Sequence, residues 1–414
     1  MLPVATTDGQ GLGIIDALFT STSATCVTGL IVVTTGTAFT LFGQTVIMIL
    51  IQIGGLGIMT MSTAFAFLMG RKITLRHRLI IQEDLNQFGI SGLLRLVQYV
   101  LGFTFAIEGA GALLLFTRLV GKFPLPKAIF YSIFHSVSAF NNAGFDLFGN
   151  SLVDFVGDPI INITVMLLII LGGLGFYVLV ELFQKRKVSS LQSKMVISTT
   201  AVLLIVGFFV VFALEFSNTN TIANLNFGEK ILASAFLSVT PRTAGFNTVP
   251  TGALNQSTIF FVMLLMFIGA SPGSTGGGIK TTTIGTIFST LWTTITGKND
   301  VELFKRRLDG DIIFKAVTIL MLSLFLVLIV TLILLVTESG EFIDILFETV
   351  SAYGTVGLST GLTPTLTKVG RVLITITMFA GRVGPLTLAV AMSVSANSKG
   401  QILYHYPKEK IMVG

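Results

Sequence analysis

The sequence predicts an all-α polytopic membrane protein: four fused span–pore-loop–span repeats around a central pore, with the first outer helix missing from this chain. Three observations carry that reading. Of 414 residues, 52% are hydrophobic and 11% charged, where an ordinary soluble domain has about 25% charged residues. Apolar runs long enough to cross a bilayer, about 20 helical residues, recur seven times. One short polar motif returns four times along the chain.

The apolar runs lie at 41–69, 96–116, 159–181, 195–214, 258–291, 316–336 and 372–396. The fifth is interrupted between Gly269 and Lys280 by a proline and several glycines, so it is expected to break. Lys and Arg set the orientation. Segments 70–95, 182–194, 292–315 and 397–414 hold 17 of them, and the opposing segments 117–158, 215–257 and 337–371 hold 7. The basic segments, including the C-terminus, should face the cytoplasm. Seven spans with the N-terminus outside imply that a leading helix precedes this chain. The single cysteine, Cys26, excludes a disulfide framework, and His77, His135 and His405 are too scattered to suggest zinc. The net charge of +6 sits in short loops between apolar runs, which reads as topology and excludes a nucleic-acid partner.

The outward loops share a pattern. Phe19 to Gly29 aligns with Phe134 to Gly144 and with Phe347 to Gly357: in all three, Phe stands ten, Ser six and Ala five residues before the glycine. Ala235 to Gly245 is a weaker copy. The four glycines are 115, 101 and 112 residues apart. Each loop then leads into a span with its own glycine (Gly54, Gly172, Gly269, Gly381), at distances of 25, 28, 24 and 24 residues. Recurrence of this kind decides architecture. The expected units are 1–70 (outer span absent), 71–190, 191–297 (interrupted inner span) and 298–414.

A short helix that dips into the membrane and returns as a loop is tolerated only where it lines a water-filled cavity. Four such loops around one axis would aim backbone carbonyls at a central point, an arrangement that replaces the hydration shell of a monovalent cation. The negative C-terminal ends of the short helices would favour the same charge. Close packing of helices explains Gly54, Gly55, Gly57, Gly172, Gly173 and Gly175 better. It explains Gly29, Gly144, Gly245 and Gly357 less well, since each ends a repeated polar loop.

Thr355-Val356-Gly357 resembles the Thr-Val-Gly of potassium-channel filters. Asn141-Asn142-Ala143-Gly144-Phe145 and Pro241-Arg242-Thr243-Ala244-Gly245-Phe246-Asn247 resemble the second and third filter loops of the Trk/Ktr/HKT potassium transporter superfamily, with the bacterial Ktr membrane subunits nearest. The resemblance spans essentially the whole chain. It implies potassium uptake across a bacterial cell membrane, K+ as the transported ion, Na+ as an activator or cotransported ion, and a homodimer with one pore per subunit among membrane lipids. It also implies a cytosolic ring of nucleotide-binding, KtrA-like regulatory subunits. The filter it implies is Val27-Thr28-Gly29, Asn142-Ala143-Gly144, Thr243-Ala244-Gly245 and Thr355-Val356-Gly357, with K+ at the carbonyls of the four glycines. Relatives with Ser in place of the first-loop glycine resemble sodium-permeable forms; Gly29 favours potassium.

Two further features belong to the pathway. By the resemblance, Gly273-Ser274-Thr275-Gly276-Gly277-Gly278 lies beneath the filter as an intramembrane gate. A phosphate-binding loop is the rival reading, but Ile279 stands where a lysine must follow Gly278. Arg382 lies ten residues into the last span, where an unpaired charge costs at least ~2.5–3.5 kcal/mol. It reads as a barrier to cations beside the gate, or as a tether to loop carbonyls. Glu108 reads first as a polar partner between helices and second as a functional carboxylate, His135 as packing ahead of pH sensing, and Asp146 and Glu348 as outward carboxylates that either raise local cation concentration or are simply solvated. The segment Arg71–Arg95 reads as a cytoplasmic connector or docking surface. A sodium-coupled secondary transporter of a small solute would show inverted repeats and polar midplane side chains. A membrane-embedded enzyme would need clustered acid, base or metal-ligating residues, and the few charged residues within spans, Glu108, Lys280 and Arg382 among them, form no such cluster in the sequence.

Overall fold

The computed structural model describes residues 2–57, 93–184, 188, 190–298, 300–385 and 387. Three of its helices are long and apolar enough to cross a membrane: α4 (Leu93–Leu119), α8 (Leu191–Glu215) and α12 (Gly310–Thr337). Each is followed by a shorter helix, respectively α5 (Leu125–Phe140), α9 (Phe227–Val239) and α13 (Phe342–Gly354), and packs against it. The fourth short helix, α1 (Ile14–Thr25), has no described long helix before it. A single turn, α2 (Thr35–Ala38), follows α1.

The helices that come after the loops are shorter than the hydropathy suggests. α3 (Leu41–Leu56), α6 (Pro159–Leu174) and α14 (Lys368–Val383) are each 16 residues long, about 24 Å at 1.5 Å per residue. All three end on a glycine in the left-handed region: Gly57 at φ 84°, Gly175 at 92° and Gly384 at 93°. At Gly175 the chain turns by 103° into α7 (Phe176–Gln184), so the run expected to span 159–181 is two helices and not one. Phe176 to Leu179 are as apolar as the residues before the bend, which is why hydropathy runs straight through it. The expected break in the fifth run is present: α10 (Gln256–Phe267) and α11 (Thr281–Ile295) flank a non-helical segment. The parts of the first and last expected spans beyond residues 57 and 387, the connector over 71–92 and the tail 397–414 lie outside the described residues. A short antiparallel hairpin, β1 (Glu302–Leu303) with β2 (Arg306–Arg307), joins α11 to α12.

Local chemistry explains several helix starts. Thr40 and Thr367 cap α3 and α14 identically, each accepting from a glycine N–H three residues on. Asp158 caps α6 and takes Arg118 Nε at 2.8 Å, fixing the end of α4 to the start of α6. The tertiary contacts then close a circle. α3 packs on α5, α6 on α9, α10 on α13, and α14 returns to α1. Phe19, Phe134, Phe236 and Phe347, one on each short helix, are completely buried between these pairs. The flanks of α12 carry exposed Phe314, Phe325, Leu328 and Val336, a face suited to lipid.

Candidate functional site

All four short helices end in the same backbone excursion. A non-glycine residue takes a left-handed conformation, and two positions later a glycine does so again: Val27 (φ 58°) and Gly29 (89°), Asn142 (59°) and Gly144 (68°), Thr243 (65°) and Gly245 (76°), Thr355 (50°) and Gly357 (90°). A positive φ is uncommon outside glycine and anomalous for a β-branched residue, yet three of the four are Val or Thr. Strain of this kind collects at functional sites.

The loops meet as a closed ring. A Cβ built on Gly29 would stand 3.1 Å from the Cα of Gly144, one on Gly144 3.0 Å from that of Gly245, one on Gly245 3.2 Å from that of Gly357, and one on Gly357 3.0 Å from that of Gly29. Each would also run into the carbonyl oxygen of the residue before the next glycine: Ala143, Ala244, Val356 and Thr28 in turn. Glycine is thus required twice over, by its dihedral and by its neighbour. The twelve residues expected to form a filter are therefore brought together, and all are buried except Gly144 and Gly357, which are partly accessible.

The serine expected six residues before the glycine in three of the loops has a structural task. Ser23 Oγ accepts from the Gly29 N–H at 3.1 Å and donates to the Leu30 carbonyl at 2.8 Å. Ser138 Oγ donates to the Phe145 carbonyl at 2.8 Å, and Ser351 Oγ accepts from the Gly357 N–H at 3.1 Å. In the third loop Thr240 does this work through the Phe246 carbonyl, five residues before Gly245. The Phe-x-x-x-Ser/Thr spacing holds in all four, from Phe236 to Thr240 in the third. That loop is simply one residue shorter, which makes its ungapped alignment look weak.

The glycine-rich segment lies against the ring. Gly277 N–H donates to Thr355 Oγ1 at 3.0 Å, and Gly278 N–H to the Gly381 carbonyl at 3.1 Å. On another side, Thr275 N–H donates to the Gly172 carbonyl at 3.3 Å and Ser271 N–H to that of Gly173 at 3.0 Å, while Gly273 O accepts from Phe176 N–H at 2.9 Å. Arg382 donates to the carbonyls of Thr275 and Gly54. The tether expected of it is thus formed, and it joins the segment to the first inner helix. Lys280 Nζ donates to the Gly276 carbonyl at 2.8 Å. Of the span glycines, Gly54, Gly172 and Gly381 each abut the carbonyl of a residue at the end of a short helix (Thr25, Phe140, Tyr353), the packing role expected for the first two.

The remaining candidates sort by their partners. Glu108 Oε1 accepts from Asn141 Nδ2 at 2.8 Å, and the same amide donates to Gln52 Oε1 at 3.1 Å, so Glu108 is a link between helices. His135 shares a hydrogen bond with the Tyr131 carbonyl, accepts from the Leu147 N–H and stacks on Phe148, which is packing. Asp146 lines the outer side of the second loop; burial pushes its carboxyl above the usual range, opposed by the Gly149 N–H at 2.6 Å. Glu348 and Cys26 are both buried, so Glu348 is not a solvent-exposed carboxylate. Arg242, 6% exposed beside the third loop, was not anticipated; its side-chain nitrogens Nε and Nη1 lack partners among the described residues. Among the described residues no cluster of three His, Cys, Asp or Glu could hold a metal.

Comparison with known proteins agrees with this geometry. Residues 2–402 match the family described as TrkH, cation transport protein. The chain is 45% identical to "Ktr system potassium uptake protein B" of Bacillus subtilis (strain 168), over all of this chain and 92% of that one. It is 40% identical to "Potassium/sodium uptake protein NtpJ" of Enterococcus hirae, again over all of this chain and 92% of the relative. The crystal structure of the potassium transporter TrkH from Vibrio parahaemolyticus superposes with a TM-score of 0.75 at 17% identity, covering 93% of this chain and 79% of that one.

Proposed function

The chain belongs to the TrkH family of cation transport proteins, and from that premise we propose that it is the ion-translocating subunit of a Ktr-like potassium uptake system in a bacterial cell membrane. The observation that carries this reading is the closed ring of four glycine loops, reinforced by full-length likeness to proteins named for potassium uptake. K+ sheds its water at backbone carbonyls of the four glycines and their neighbours, with the helix ends contributing negative potential. Selectivity is supported by the glycine at all four positions.

Below the ring, Gly273–Gly278 is the gate. Its hydrogen bonds to the second and fourth units and its bonds from Arg382 support a seated, obstructing position. Arg382 adds a positive charge that disfavours a passing cation until the segment moves. The four units are 1–70, 71–190, 191–297 and 298–414. The functional assembly is a homodimer in lipid, its C-termini cytoplasmic, regulated by a cytosolic ring of KtrA-like nucleotide-binding subunits; the Ktr relatives are named as parts of a system. Na+ acts as activator or cotransported ion, a reading favoured by the potassium/sodium name of one relative.

The test is cation flux into proteoliposomes with potassium, rubidium, sodium and lithium in turn. Potassium and rubidium entering well ahead of sodium and lithium would support the filter. Equal entry of every cation, or movement of an organic solute alone, would make the ring a scaffold and return the reading to a sodium-coupled solute transporter.

A further inference from the structure

Thr355 stands where two structures meet. Its backbone is the left-handed residue of the fourth loop, at φ 50°, and its side chain is fully buried. Its Oγ1 accepts the Gly277 N–H at 3.0 Å, and a Cβ on Gly277 would come within 2.5 Å of that oxygen and 2.8 Å of Cγ2. The hydroxyl and the glycine segment therefore fit as a matched pair.

The neighbouring loops extend the pattern. Gly276 lies directly against Thr243 Oγ1, leaving no room for a side chain. Thr243 Oγ1 in turn accepts from Asn142 Nδ2 at 3.2 Å, and that amide also donates to the Arg242 carbonyl at 3.2 Å. Asn142, Thr243 and Thr355 are the left-handed residues of the second, third and fourth loops. Only the first loop has an apolar residue there, Val27, with no hydroxyl or amide to offer.

A strained backbone persists only where its surroundings over-determine it. Here one of those surroundings is the segment below. We infer that Gly273–Gly278, when seated, braces the ring through the Gly277 N–H to Thr355 Oγ1 bond, so that cation selectivity depends on the position of the segment. Withdrawal of the segment takes away the donor and leaves the Thr355 oxygen to find another partner or go unpaired. By linkage the coupling runs both ways: ion occupancy that favours the ordered ring also favours the seated segment. The inference rests on the filter and gate reading above, and it makes Thr355 a positioning residue in addition to a backbone contributor.

The experiment is a double-mutant cycle on the full-length protein in proteoliposomes without a regulatory subunit, reading the K+/Na+ flux ratio. Thr355→Val keeps the shape and removes the acceptor; the ratio should fall about fivefold, the effect of one net hydrogen bond. Thr355→Ser restores the acceptor and should restore the ratio, and Thr355→Cys, a weak acceptor, should fall between. Deleting Gly273–Gly278 should by itself lower the ratio as Thr355→Val does. In the deletion background Thr355→Val should then add nothing. An equal fall in both backgrounds, or no fall in the intact chain, overturns the brace. If the valine variant does not fold, the deletion and the Ser-to-Cys series decide: a ratio unmoved by the deletion, or equal in Ser and Cys, overturns it too. Failure of the gate reading is seen separately, as a deletion that lowers the ratio but leaves total K+ flux unchanged.

Discussion

The Tyr353 hydroxyl donates to Ser323 Oγ at 2.5 Å, and this bond fastens the end of α13 to the long helix α12 behind it. Tyr353 lies two residues before Thr355, so the fourth loop is held from outside by this bond and from below by Gly277. Ser323 Oγ donates its own hydrogen bond to the Ile319 carbonyl at 2.6 Å, which leaves its oxygen free to accept. Tyr353→Phe removes the outer fastening and nothing else in volume. It should lower stability by about 1 kcal/mol, visible as a reduced unfolding midpoint in detergent; an unchanged midpoint would show that the bond contributes nothing net.

The ring tolerates no side chain at its glycines. Gly357→Ser or Gly144→Ser must place a Cβ against the next loop and hold a left-handed backbone that costs L-residues about 1–2 kcal/mol. The K+/Na+ flux ratio should drop about tenfold from that penalty alone. Retention of the wild-type ratio by a folded Gly357→Ser protein would remove the ring from the selectivity mechanism.

Arg382 is bonded to carbonyls on two sides, Thr275 and Gly54. Hydrogen bonds from a charged donor contribute about 1.5–3 kcal/mol each, so Arg382→Gln should unseat the segment and raise basal potassium flux about tenfold. Tracer uptake without regulatory subunits measures this. Lower flux in a well-folded variant would mean that the arginine serves structure and not closure.

Glu108 links α4 to the second loop through Asn141. Glu108→Ala removes one of three acceptors that share the two Asn141 amide hydrogens, beside Gln52 Oε1 and the Val137 carbonyl, and should cost about 1 kcal/mol of stability. The K+/Na+ ratio of the surviving folded fraction should not change. A selectivity change with unaltered unfolding would point to a direct role in permeation.

Asp146 supplies a pH dependence. Burial raises its carboxyl above the ordinary value of 3.8, so folding favours the protonated form. A group raised in this way stabilises the fold at acid pH, and that contribution is lost as pH rises from 3.8 through the folded value. Asp146→Asn should flatten the stability profile over that window. A wild-type profile already flat there, measured by thermal unfolding across the acid range, would contradict the shift.

Much of this was legible in the residues. Composition and hydropathy identify a helical membrane protein, and the recurring Phe, Ser and Gly identify four equivalent loops. Glycine and proline between Gly269 and Lys280 mark the broken helix. Other features leave no compositional trace. Val27, Asn142, Thr243 and Thr355 match by position alone, two residues before each glycine, and the left-handed dihedral they share appears only once the chain is folded. The bend at Gly175 is invisible to hydropathy because Phe176 to Leu179 are apolar on its far side. The missing residue before Gly245 hides the third copy from an ungapped comparison. The partners of Arg382 come from residues 107 and 328 positions away, beyond the reach of any local pattern.

The three residue types in the four left-handed positions bear on how such a pore can change over generations. In a homotetramer one codon rewrites every wall of the pathway at once, and intermediate forms are inaccessible. Here the ring is encoded at four separate places in one gene. A mutation therefore alters a quarter of the lining, and the affinity for an ion can be adjusted in increments, with three unchanged walls preserving transport in the meantime.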